Sequence, residues 1–125
     1  MTDIDLQQLA QRGAAELEGA GAEELLRWTE ENFGGDYVVA SNMQDAVLVS
    51  MAAKVRPGVD ILFLDTGYHF VETIGTRDAV EAVYDVNIVN VTAENSVAKQ
   101  DQLFGKELFA REPNECCRMR KVEPL

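Results

Sequence analysis

Three short runs of β-forming residues, each separated from the next by a stretch with helical spacing, constrain this chain more than any other feature. The runs are Asp36-Tyr37-Val38-Val39-Ala40, residues 59–64 and residues 86–91. The nearly continuous apolar character of residues 59–64 fits a sheet covered on both faces, the habit of parallel sheets. Between them, residues 45–55 and 70–84 carry apolar side chains at helical spacing, the second through Val71, Ile74, Ala79, Ala82 and Val83. Pro57-Gly58 stops the first of these helices. The order β-α-β-α-β, with crossovers of this length, favours parallel right-handed connections, so the expected fold class is α/β with a doubly wound parallel sheet.

Two amphipathic helices are predicted ahead of the sheet, over residues 4–18 and 22–32, with Gly19 and Gly21 between them. Beyond Thr92 the pattern fades. Residues 93–102 and the stretch after Pro113 read as helical, and no fourth strand is predicted. With 125 residues and no internal repeat or flexible linker, one domain is expected over residues 1–125.

Charge narrows the partners. Eleven Lys and Arg against twenty-two Asp and Glu leave a formal charge of −11, too acidic overall to wrap nucleic acid. The longest apolar runs fall far short of the roughly 18 residues that a membrane helix needs. The first thirty residues, rich in Asp, Glu and Gln, lack the pattern of a secretory signal. The expected compartment is the cytoplasm, where the only two cysteines, Cys116 and Cys117, would stay reduced.

In an open parallel sheet, ligands bind beyond the carboxyl ends of the strands, where loops meet helix N-termini. Two loops occupy that position. The first is Ser41-Asn42-Met43-Gln44-Asp45, which reads either as a plain strand-to-helix connection capped by Asp45 or Ser41, or as a nucleotide loop. It has no glycine, which counts against a Walker cradle or a dinucleotide fingerprint. The second is Leu64-Asp65-Thr66-Gly67-Tyr68-His69-Phe70, where Gly67 permits a sharp turn and a lone His69 cannot build a metal site unaided. A third segment, Glu115-Cys116-Cys117-Arg118-Met119-Arg120-Lys121, places three cations directly after two thiols. Adjacent cysteines are compatible with small core residues and the cations with a solvated helix face. Reactive or metal-bound sulfur suits the combination better, because nearby cations stabilise thiolates.

The Ser-x-x-x-Asp pattern of Ser41 and Asp45 resembles a degenerate form of the Ser-Gly-Gly-x-Asp-Ser pyrophosphate loop of the ATP pyrophosphatase superfamily. Both glycines and the final serine differ, which disfavours ATP cleavage and an ATP-using transferase while leaving adenylate binding open. Leu64-Asp65-Thr66-Gly67 resembles the segment of the phosphosulfate reductases that lies against the adenosine. Together with Cys-Cys-Arg-Met-Arg-Lys-Val-Glu-Pro-Leu at residues 116–125, nearly the whole chain is similar to the assimilatory adenylyl-sulfate reductases of actinobacterial type.

That resemblance implies an adenine nucleotide alpha hydrolase-like fold, truncated. It implies a site for adenylyl sulfate or AMP built from Ser41, Asn42, Gln44, Asp45, Leu64, Thr66, Gly67 and Lys121. It also implies Cys116 and Cys117 as two ligands of a four-iron, four-sulfur cluster, thioredoxin as reductant, and sulfite and AMP as products. The other cluster ligands and the nucleophilic cysteine of the family lie in a later Cys-x-x-Cys and near the C-terminus. No catalytic residue is therefore expected in this chain; the nucleophile is expected beyond Leu125, and the chain reads as the nucleotide-binding N-terminal half of a longer reductase domain. The alternative is a non-catalytic adenylate-binding or iron-sulfur scaffold module.

Overall fold

Strand β2 (Val59–Asp65) organises the sheet because its alternate residues suit two different environments. Val59, Ile61 and Phe63 are buried on one face, and Leu62 and Leu64 are half-buried on the other. In the computed structural model, which describes residues 2–125, β2 lies between β1 (Val39–Ala40) and β3 (Val86–Thr92), and both pairings are parallel. Val39 stands opposite Ile61, and Ile61 opposite Ile88, a register that runs on to Asp65 opposite Thr92. The loops after β1 and β2 therefore open at the same carboxyl edge.

Helix α3 (Val47–Val55) joins β1 to β2, and α4 (Val71–Val83) joins β2 to β3. The two crossovers step the same way across the sheet, so with right-handed connections both helices cover one face. Val49 and Ala52 of α3 and Val80 of α4 pack there on Val39, Val59, Ile61 and Phe63. Each large side chain so buried contributes roughly 1.5–3 kcal/mol. On the opposite face Leu62, Leu64, Val89 and Val91 are only half-covered and Ala40 is exposed, so the two-sided cover expected from the apolar runs is incomplete among the described residues. A cleft opens on that face.

Ahead of the sheet, α1 (Asp3–Glu16) starts with a capping box between Thr2 and Asp5, and α2 (Ala22–Phe33) follows. Gly13 of α1 lies under Trp28 of α2, where a β-carbon would stand 2.5 Å from the indole ring. Glu30 ties α2 to the sheet by accepting from the Tyr37 hydroxyl at 2.9 Å and from Arg56 Nη1 at 2.7 Å. After β3 come α5 (Val97–Phe104), α6 (Leu108–Arg111), α7 (Pro113–Cys117) and a π-helical turn over Arg118–Val122. No helix among the described residues is long and apolar enough to cross a membrane.

Boundaries differ from expectation for identifiable reasons. β1 holds two residues rather than five, because Asp36 N–H turns back to the Phe33 carbonyl at 3.0 Å and closes α2. α3 begins at Val47 rather than residue 45, since Asp45 Oδ1 accepts from Val47 N–H at 3.0 Å and stays outside the helix. The helix expected over 93–102 starts at Val97, where the Ser96 hydroxyl caps Lys99 N–H at 3.1 Å. The sequence pattern carries no signal for the four-residue α6.

Candidate functional site

The loop after β1 is held by its own polar side chains. Ser41 Oγ accepts from Met43 N–H at 3.1 Å, and Asn42 Oδ1 accepts from Gln44 N–H at 3.1 Å. These turns drive Met43 into the core, fully buried, with a φ of 57° that a residue with a side chain rarely adopts. Asp45 accepts from Val47 N–H in a turn just ahead of α3, whose N-cap is Ala46 and not Asp45 or Ser41, and Asp45 also faces the cleft.

The loop after β2 repeats the device. Asp65 Oδ1 accepts from Gly67 N–H at 3.0 Å and Thr66 Oγ1 from Tyr68 N–H at 3.2 Å. His69 Nε2 lies 2.8 Å from the Leu64 carbonyl. A carbonyl only accepts, which assigns the ring proton to Nε2. The same ring stacks on Phe63 with centroids 5.0 Å apart. At Gly67, φ is +84°, and a β-carbon would meet Val97 Cγ2 at 2.7 Å and Arg120 Nη2 at 2.8 Å. Only glycine fits there.

The three cations after the cysteines point to different surroundings. In the π-helical turn, Glu123 N–H bonds to the Arg118 carbonyl at 2.9 Å, five residues back, which gives the segment a wider pitch than an α-helix. Arg118 stays exposed and pairs with Glu115 and Glu123, the solvated-face outcome. That pairing holds the Glu115 carboxyl below its usual range, through the hydrogen bond from Arg118 first. Arg120 turns inward to 4% exposure and donates from Nε to the Thr66 carbonyl at 2.8 Å, and from Nη1 to the Asn95 carbonyl. It thus clamps the second loop to the cysteine segment. Its hydrogen-bond partners are neutral, so its positive charge remains available to an anion nearby. Lys121 faces the cleft.

Two cavities meet at this edge. The larger, about 590 Å³, is lined by Ser41, Asn42, Asp45, Leu64, Thr66 and Lys121, with Ala40, Leu48, Leu62, His69 and Leu125 completing its wall. The neighbour, about 480 Å³, holds Cys116 and Cys117 with Tyr68, Phe109, Pro113 and Arg120. Thr66, His69 and Lys121 belong to both and form the seam. Gln44 lies apart from the main cleft, in a side cavity with Met43, Glu72, Thr73 and Thr76. Gly67 shapes the turn behind the seam. Burial, above all, raises the pKa of the Tyr68 hydroxyl above 10.0, so at neutral pH it is a hydrogen-bond donor.

Cys116 is buried and Cys117 exposed, both as free thiols. Among the described residues no group of three or more His, Cys, Asp and Glu gathers to hold a metal. Two thiolates would supply two of the four positions of a four-iron, four-sulfur cluster; Arg120 and Lys121 line the same cavity as the pair, and Gln100 Nε2 lies 3.8 Å from the inner sulfur. Sequence reasoning missed Leu48, Leu62, Tyr68 and Phe109 as wall residues, and also Gln100, which is 1% exposed beside Cys116. A signal for Gln100 existed. It stands three residues after Val97 and four before Phe104, a polar residue on an otherwise apolar stripe.

Comparison with known proteins matches residues 36–125 to the family described as phosphoadenosine phosphosulfate reductase domain. The chain is 77% identical over 124 residues to an adenosine 5′-phosphosulfate reductase of Mycolicibacterium smegmatis, covering 99% of this chain and 52% of that protein. It is 61% identical over 142 residues to the enzyme of the same description from Mycobacterium tuberculosis, covering 100% of this chain and 56% of that protein. The chain thus spans about half the length of these relatives. A crystal structure of phosphoadenylyl-sulfate reductase from Candida auris, a phosphate complex, superposes with a TM-score of 0.74 at 24% identity, over 91% of this chain and 57% of that one. That likeness shows the fold, of the adenine nucleotide alpha hydrolase-like type. With the family profile matched across the whole sheet and the cysteine segment, the chain belongs to the phosphoadenosine phosphosulfate reductase domain family.

Proposed function

We propose that this chain is the nucleotide-binding part of an enzyme that reduces adenylyl sulfate to sulfite and AMP, with thioredoxin as electron donor. The observation that carries the reading is convergence: Ser41 and Asp45, Leu64 and Thr66, and Lys121, from three distant segments, line one cleft that shares a seam with the cysteine pair. The relatives named as adenosine 5′-phosphosulfate reductases support it.

In this reading the adenosine packs on Leu48, Leu62 and Leu64, apolar surface that the sheet leaves half-covered. The anionic phosphosulfate points to Lys121 at the seam, where a cation stabilises charge on the sulfate and on the departing phosphate oxygen. Thr66 and His69 separate the two cavities, and Arg120 fixes the seam from behind. A cluster held partly by Cys116 and Cys117 would set the geometry and local charge of the wall beside Lys121.

A thiolate attacks the sulfate sulfur, the bond from that sulfur to the AMP phosphate oxygen breaks, and the electron pair leaves with AMP. The enzyme thiosulfonate so formed is reduced by a thioredoxin thiol pair, which releases sulfite and becomes a disulfide. Cys116 and Cys117, engaged as ligands, are not the attacking thiolate, which is why the nucleophile is sought in a longer protein. The second reading, a non-catalytic adenylate-binding or scaffold module, is favoured by the presence of only two cysteines in the 125 residues.

An anaerobic assay of sulfite release from adenylyl sulfate with reduced thioredoxin separates the two, run on this chain and on a version extended by its downstream reading frame. Sulfite from the extended protein alone supports the reductase. No sulfite from an extended protein that binds adenylyl sulfate supports the module, and turnover by the 125-residue chain makes one of its own two cysteines the nucleophile.

A further inference from the structure

Gln100 sits in α5 at 1% exposure, and an amide so deeply buried is costly unless both its ends find partners. Its Oε1 lies 3.5 Å from Arg120 Nη1, and its Nε2 lies 3.8 Å from Cys116 Sγ. Arg120 settles which way the amide points. A guanidinium only donates, so the amide oxygen must face it, and this turns the NH2 group toward the sulfur. Arg120 is itself held by the carbonyls of Thr66 and Asn95, so the orientation is fixed from two other loops. An N–H aimed at a sulfur is the contact by which an outer residue fixes the orientation of a metal-ligating cysteine. Cys117, one residue on, is exposed.

We propose that Gln100 is a positioning residue for Cys116: its amide N–H, oriented by Arg120, donates to the Cys116 sulfur and holds that sulfur as the inner ligand of a thiophilic metal centre at the cysteine pair. The inference rests on the reading of Cys116 and Cys117 as metal ligands. It makes the two cysteines unequal. Cys116 is oriented from inside the fold, whereas Cys117 stands exposed.

The test uses the reduced 125-residue chain and cadmium ion alone, enriched in a spin-half isotope, as a probe of thiolate ligation. Sulfur-bound cadmium is recognised by a charge-transfer absorption that the double Cys116→Ser, Cys117→Ser variant lacks. In the wild-type chain, NMR should then show scalar coupling between cadmium and the Gln100 side-chain amide protons, through the hydrogen bond. Gln100→Leu, checked for folding by circular dichroism, should lose that coupling and bind cadmium roughly tenfold more weakly, as loss of an outer hydrogen-bond partner does at metal sites. The coupling measurement needs no variant and stands even where Gln100→Leu fails to fold. Sulfur-bound cadmium without coupling to Gln100 overturns the role of Gln100 alone. Absence of sulfur-bound cadmium overturns the metal-ligand reading of the cysteine pair, and this inference with it.

Discussion

Gly67 and Arg120, fifty-three positions apart in the chain, are packed so closely that a β-carbon on Gly67 would stand 2.8 Å from Arg120 Nη2. The contact joins the β2 loop to the π-helical turn and sets how Thr66 and Lys121 share the seam. Gly67→Ala is therefore expected to act twice, through a φ of +84° and through displacement of Arg120 or Val97. Backbone strain of this kind costs about 1–3 kcal/mol. Urea unfolding should show a loss of that size, and calorimetry should show weaker binding of AMP. Wild-type stability and affinity in the variant would mean the loop has room that the packing denies.

Arg118 should behave in the opposite way. It is exposed and, among the described residues, pairs with Glu115 and Glu123, and solvent-screened pairs of this type contribute little to stability. Arg118→Ala should unfold close to wild type and bind adenylyl sulfate unchanged. A severalfold loss of affinity in calorimetry would place Arg118 in the site after all.

Gly13→Ala tests the packing of α1 on α2. Alanine in a helix interior is favoured over glycine by roughly 1 kcal/mol, yet its β-carbon would lie 2.5 Å from the Trp28 ring. Overpacking costs about 1–3 kcal/mol, so net destabilisation is expected. Trp28 is the only tryptophan, and its fluorescence should shift in the folded variant. A more stable variant with unchanged emission would show that the ring moves freely.

Alkaline stability reports on Tyr37. Burial first, then the hydrogen bond to Glu30 and its charge, raise the Tyr37 pKa above 10.0. The folded state thus disfavours tyrosinate. Its contribution is fully present below about pH 10, the unfolded value, and is lost as pH rises through the higher folded value. Denaturation midpoints should fall more steeply above pH 10 for wild type than for Tyr37→Phe. Parallel curves for the two proteins would remove Tyr37 as a source of the alkaline loss.

Much of the fold is legible in the sequence. The β2 run, the helical spacing on either side of it and the parallel order followed from apolar patterning, because a buried strand and its crossover helices leave a strong periodic trace. Leu64, Thr66 and Lys121 are implied by the family resemblance rather than by spacing, and all three line one cleft. What escaped depends on tertiary partners. β1 shortened because Asp36 found Phe33 instead of a strand, and the spacing of three nearby cations could not reveal that Arg120 turns inward while Arg118 stays in solvent. Gln100 needed Cys116 and Arg120 in view before its burial made sense.

The proposed adenylyl sulfate site lies where the β1 and β2 loops meet Lys121. Titration of the isotope-labelled chain with adenylyl sulfate, followed by backbone amide NMR shifts, tests it most directly. Saturable shifts are expected to concentrate at residues 41–45, 64–67 and 121, with little change on α1 or α2. Saturable shifts centred elsewhere, for instance on the side cavity around Glu72 and Thr76, or no shifts in a folded chain, would contradict it.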